Sequence, residues 1–149
     1  MPGSCGPAAP SCGNIADMAA AEISRHPIHL GLGATAEAEP EFTGEMEWYA
    51  QYVDRHASDG AEARLVTMHG FTGPWDVWEM HPEGAEVVLC VSGSIVLHQE
   101  HPDGARSTIE LREGQYAINE TGVWHTADVA GEATALFITA GLGTEHRPR

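Results

Sequence analysis

Downstream of Gly60 the chain breaks into short apolar runs, each closed by Gly, Pro, Asp or Asn. ARLVTMHGF, VWEMH, EVVLCV, SIVLHQE, STIEL, QYAIN, WHTADV and TALFIT are rich in β-branched and aromatic residues, and each reads as a strand. His101-Pro102-Asp103-Gly104 has the composition of a hairpin turn. Eight strands at this spacing, with no internal repeat, predict a single sandwich or small barrel from about Gly60 to Ala140. Upstream the pattern differs. Met46, Tyr49, Ala50 and Val53 are spaced i, i+3, i+4 and i+7, which predicts a helix between Thr43 and His56 with Thr43 as its N-cap. Its apolar face needs a surface to pack on, and the barrel offers one. Ile28 to Leu32, between Pro27 and Pro40, reads as an extended arm. Residues 1–24 are rich in Ala, Gly and Pro and read as a flexible or weakly helical leader. The expected organisation is a leader over 1–24, arm plus helix over 25–57, and the barrel over 58–146.

Composition narrows the function. The chain carries 22 acidic residues against 7 basic ones in 149 residues, a formal charge of -15. Such a surface repels polyanions, so neither nucleic acid nor an anionic membrane is an expected partner. All the basic residues are arginine, which excludes lysine Schiff-base chemistry and the lysine of a P-loop. No apolar run approaches the roughly 20 residues that cross a bilayer, and the first residues lack the pattern of a secretory signal. Three cysteines, Cys5, Cys12 and Cys90, show no framework spacing. These features predict a cytoplasmic protein.

The candidate chemistry begins at Trp78-Glu79-Met80-His81. In an extended segment Glu79 and His81 share a face, with Cα atoms roughly 6.6 Å apart, near enough to reach one ion. Pro82-Glu83-Gly84-Ala85 turns the chain, and a hairpin there would bring Glu86 back beside His81. His125 opens a later strand after the turn Glu120-Thr121-Gly122. Two imidazoles and a carboxylate suit one divalent ion, Fe(II), Mn(II), Ni(II) or Zn(II), with coordination positions left for other molecules.

At these residues the sequence resembles the cupin family. The first cupin motif is Gly, five residues, His-x-His, three or four residues, Glu, six residues, Gly. Here it reads Gly73, five residues, Glu79-x-His81, four residues, Glu86, six residues, Gly93. The second motif is Gly, five residues, Pro-x-Gly, two residues, His, three residues, Asn. Gly114, Glu120-x-Gly122 and His125 fall in register with it, and Val129 stands at the Asn position. Glu79 replaces the first His, and Glu120 the Pro. With its flanking strands the resemblance covers more than half the chain. It implies an all-β, jelly-roll-like barrel, a homodimer, and a metal held by His81, Glu86 and His125. Glu79 would be the fourth ligand or a catalytic general base. The implied function is a metal-dependent enzyme on a small organic molecule, an oxidoreductase such as a non-haem dioxygenase or an isomerase or lyase. The alternative is a binding or sensing module without turnover. Of the basic residues in the barrel, Arg64, Arg106 or Arg112 would have to anchor a carboxylate substrate.

Other features carry less. Cys90 reads as a buried structural cysteine, roughly 13 Å along the strand from Glu86. His69 and His98 read as surface or supporting residues rather than ligands. Trp75, Trp78, Tyr116, Trp124 and Phe137 read as core more than pocket, with Trp124 turned away from the His125 side. Gly31-Leu32-Gly33 lacks the βαβ setting of a dinucleotide site, and Ser92-Gly93-Ser94 is no nucleophile elbow. Cys5, Cys12, His26 and His29 lack zinc-finger spacing.

Overall fold

The computed structural model describes residues 20–149; most of the expected leader, with Cys5 and Cys12, lies outside them. The strands are β1 (Ile28–Leu30), β2 (Ala36–Ala38), β3 (Arg64–Phe71), β4 (Val77–Met80), β5 (Glu86–Ser92) and β6 (Ser94–Glu100), then β7 (Arg106–Arg112), β8 (Tyr116–Asn119), β9 (Trp124–Asp128), β10 (Ala133–Thr139) and β11 (Glu145–Pro148). One helix, α1 (Met46–Arg55), precedes β3. All eight expected strands form. They are joined by β1, β2 and β11.

The strands make two antiparallel sheets, ordered β2-β1-β3-β10-β5-β8 and β11-β4-β9-β6-β7. From β3 to β10 the pairs are nested: β3 with β10, β4 with β9, β5 with β8, and β6 with β7. This is one long hairpin rolled so that successive strand pairs alternate between sheets, the topology of a jelly roll. Inward residues of the two sheets meet in a core containing Val88, Ile95, Leu97, Leu111, Ala127 and Ala135. Truncating a fully buried member such as Leu97 to Ala would cost about 2–5 kcal/mol. Gly93, at φ +76°, turns β5 into β6 so tightly that a Cβ would sit 2.2 Å from the Glu132 carbonyl. Only glycine fits there.

The arm packs on the barrel: β1 pairs with β3 on one side and β2 on the other. The helix departs from expectation in two ways. It starts at Met46, because Gly44 at φ +77° interrupts the helical backbone. Thr43 Oγ1 instead accepts the Glu45 N–H at 3.3 Å, and Glu45 takes the cap position without a side-chain bond. The face that packs is centred on Trp48 and Tyr52, against Leu65, with Tyr49 and Val53 of the expected stripe packed beside them, while Met46 is exposed. That stripe borders a cavity described below. No helix among the described residues is long and apolar enough to cross a membrane.

Candidate metal centre

Strand register assembles the four expected residues. Glu79 on β4 stands opposite His125 on β9, so their side chains share a face. Glu86 opens β5 opposite Thr139 on β10 and Asn119 on β8. His81 follows β4 directly. The connection from His81 to Glu86 is not the expected hairpin, because β4 and β5 belong to different sheets. It crosses between them, and Gly84 passes so near Ala140 that a Cβ would approach it to 2.5 Å. The Gly122 N–H donates to the His81 carbonyl at 3.0 Å, tying the turn before β9 to the end of β4.

The side chains converge. Glu86 Oε1 lies 3.3 Å from His81 Nε2, and Oε2 lies 3.0 Å from His125 Nε2. A Glu79 oxygen and one ring nitrogen from each histidine lie within 4.8 Å of one another. His81, Glu86 and His125 are all buried, while Glu79 is partly open and sits 3.2 Å from His146 Nε2.

Outer hydrogen bonds fix which nitrogen faces inward. His125 Nδ1 donates to the Val123 carbonyl at 3.1 Å. Thr144 spends its hydroxyl proton on the Gly141 carbonyl at 2.9 Å, so its oxygen accepts from His81 Nδ1 at 2.8 Å. Each ring therefore carries a proton on Nδ1 and turns Nε2 inward. Both Nε2 atoms are buried without a hydrogen-bond partner, although the Glu86 oxygens are near. As neutral rings the two imidazoles turn two lone pairs toward a carboxylate, and only a proton or a cation reconciles the three. A cation between them satisfies all three groups, and the donor set, nitrogen plus hard oxygen, fits a divalent transition ion.

Glu86 is held from behind as well. Asn119 Nδ2 donates to Oε2 at 3.0 Å and the Thr139 hydroxyl to Oε1 at 2.8 Å. Gln99 Nε2 donates to Asn119 Oδ1 at 2.8 Å, and Ser107 donates to Gln99 Oε1 at 2.9 Å, so the amides cannot rotate freely. Burial pushes the Glu86 carboxyl pKa up, but the two imidazoles outweigh it and hold the group well below the usual carboxylate range. For His125 burial works downward, and Glu86 beside it leaves the net shift upward. Without metal, a proton on His125 Nε2 is the natural counter-charge to Glu86. Asn119, Thr139 and Thr144 were not anticipated from the sequence.

The centre opens into a cavity of about 540 Å³. Met46, Tyr49, Ala50 and Val53 of α1 form one wall, and β3 forms another. Trp75 and Phe137, expected in the core, border the cavity while also packing on the core. Trp78 and Trp124 lie under the Arg147 guanidinium, which sits 5.1 and 4.5 Å from their ring centres, and Tyr116 is exposed. His69 borders the cavity too, contrary to a surface or supporting role. His98 instead bonds Asp128 at 2.7 Å near the surface. Among the described residues no arginine lines the cavity. Arg64 donates to the Ala61 and Ala63 carbonyls, while Arg106 and Arg112 pair with Glu100 and Glu110. None of the three is placed to anchor a substrate carboxylate there. Cys90 is buried in the core, as expected.

A second cluster joins arm and helix: His29, Glu39 and His56 also bring possible ligand atoms within 4.8 Å of one another. Its atoms are already used. His29 Nε2 donates to Asp59 at 2.9 Å, leaving Nδ1 to accept the Tyr52 hydroxyl at 2.8 Å. Glu39 accepts from His56 at 2.5 Å and from Arg55 at 2.6 Å.

No family model matches the chain, and no curated protein matches it. Among solved structures it is similar to a double-stranded β-helix protein from Klebsiella pneumoniae (TM-score 0.48, 19% identity, 58% of this chain and 76% of that one). It is similar also to a cupin-2 domain protein from Shewanella frigidimarina (TM-score 0.41, 22% identity, 58% and 71%). A third is hydroquinone 1,2-dioxygenase from Sphingomonas sp. TTNP3 (TM-score 0.44, 18% identity), of which the chain spans 59% while 51% of the chain is covered. These likenesses are distant, and the strand order carries the assignment by itself. The nested pairing of β3 to β10 across two sheets is a jelly-roll fold.

Proposed function

We propose that this chain binds one divalent metal ion through His81, Glu86 and His125 and acts on a small organic molecule in the adjoining cavity, as an oxidoreductase or as an isomerase or lyase. The observation that carries the proposal is the pair of buried, unpartnered Nε2 atoms facing Glu86. A bound ion would supply Lewis acidity toward an oxygen of the molecule and, as iron or manganese, redox capacity. The protein's part is positioning. Val123 and Thr144 hold the imidazoles, while Asn119 and Thr139 hold the carboxylate. Glu79 is the fourth oxygen donor or the general base, and His146 beside it offers a place for a proton.

Titration of metal-free protein with Co(II), followed by visible absorption, tests the reading. One equivalent should bind and produce a ligand-field spectrum, and His125→Ala should abolish it. An absent spectrum in the parent protein would contradict the metal centre and favour a metal-free binding module.

A further inference from the structure

We infer that the cavity takes an uncharged molecule with an apolar body and two polar ends, one facing the metal ligands and the other, roughly 8 Å away, meeting His69. The first end rests on the metal reading above; the second stands independently of it. Leu65, Thr67, His69 and Phe71 of β3 all border the cavity, as alternate residues on one face should. The register sets its two ends. Leu65 pairs with Thr139, which pairs with Glu86, whereas His69 pairs with Ala135, which pairs with Cys90. Four residues of strand separate these levels by roughly 13 Å, and a metal–oxygen bond and a hydrogen bond together take up roughly 5 Å of it.

His69 is an imidazole in apolar company. Its ring lies 5.1 Å from Phe42 and 5.9 Å from Phe137, centre to centre. Among the described residues it makes no side-chain hydrogen bond, yet neither ring nitrogen is sealed from access, unlike Nε2 of His81 and His125. A polar group so placed draws its partner from what fills the cavity. Burial holds its pKa below the usual histidine value, so the neutral ring offers one donor and one acceptor. Tyr49, across the cavity, is pushed up to about 12 by burial and by Glu79 and Glu86, and stays a phenol. Among the described residues the cavity has two carboxylates, both at the metal end, and no arginine. A charged group at the His69 end would meet a neutral imidazole and aromatic rings, with nothing to offset the cost of burying it. An uncharged polar group there needs only the hydrogen bond.

Three probes of matched size separate the possibilities: 4-ethylphenol, 2-(4-hydroxyphenyl)ethanol and 4-hydroxyphenylacetate, titrated calorimetrically into zinc-loaded and metal-free protein at neutral pH. In metal-free protein the alcohol should bind about fivefold tighter than 4-ethylphenol, the worth of one hydrogen bond, and the acetate weakest of all. His69→Leu should erase the alcohol's advantage while leaving 4-ethylphenol unchanged; His69→Gln, which keeps a donor and an acceptor, should retain most of it. Thermal melts confirm that both variants fold. In metal-free protein, an advantage that survives His69→Leu, no advantage in the parent, or tightest binding by the acetate would overturn the inference. The ratio read in metal-free protein reports the His69 end alone, so its failure is distinct from failure of the metal site, which would appear as identical affinities with and without zinc.

Discussion

Two clusters in this molecule draw on the same residue types, two histidines with carboxylates, and differ in what is left over. In the cluster between arm and helix, every donor has an acceptor: His29 lies between Asp59 and Tyr52, and Glu39 receives both Arg55 and His56. Arg55 already supplies the positive charge that a metal would bring. In the barrel, the Nδ1 atoms are tied down outside and the Nε2 atoms face Glu86 without a hydrogen bond. Proximity of possible ligand atoms is common to both. Buried ring nitrogens left without a partner belong to one.

The comparison breaks most easily by exchanging the damage. Glu39→Ala should cost about 1–3 kcal/mol in urea denaturation, since it removes the buried carboxylate that accepts from Arg55 and His56, and should leave metal affinity unchanged. A loss of metal in that variant would erase the distinction. Effects on the barrel site should be read as affinity. Thr144→Val removes the acceptor that orients His81, and Asn119→Leu removes a donor to Glu86; each should weaken Zn(II) binding about 10- to 100-fold by competition with a chromophoric chelator.

A smaller, graded effect comes from pH. The folded His125 pKa is raised, and a proton on Nε2 occupies the position the metal needs. Metal affinity should therefore be full above that raised value and fall about tenfold per pH unit below it, with one proton released per ion bound. Glu86, held low, stays ionised over the same range and adds nothing to the slope. A flat profile through the histidine range would show that His125 is not a ligand.

Much of this was legible in the sequence. The strands were readable because turn residues separate runs of β-branched residues, and the shared face of Glu79 and His81 because a strand has a period of two; Glu86 and His125 were brought in by the motif spacing. The missed strands are edge pieces with little signal: Ala36-Glu37-Ala38 has no β-branched residue, and β11 ends in a proline. Thr43 failed as a helix cap because pattern alone does not reveal the left-handed backbone at Gly44. The groups that orient the ligands were invisible for a different reason. Asn119 lies 33 residues from Glu86, Thr139 lies 53 from it, and Thr144 lies 63 from His81, and only the nested topology brings them near. The helix stripe was seen correctly as apolar, and Tyr49 and Val53 do pack toward Leu65 of the barrel; that the same residues border a cavity, and that Trp48 and Tyr52 centre the packing, the spacing did not reveal.

The central claim is that one metal ion binds, in the barrel and nowhere else among the described residues. Metal content by inductively coupled plasma mass spectrometry, on protein purified without chelator, tests it most directly, with His81→Ala and His56→Ala run in parallel. One Fe, Mn, Ni or Zn per chain in the parent and in His56→Ala, and none in His81→Ala, is the predicted result. Two ions per chain, loss of metal from His56→Ala, or a parent that stays empty after reconstitution would contradict it.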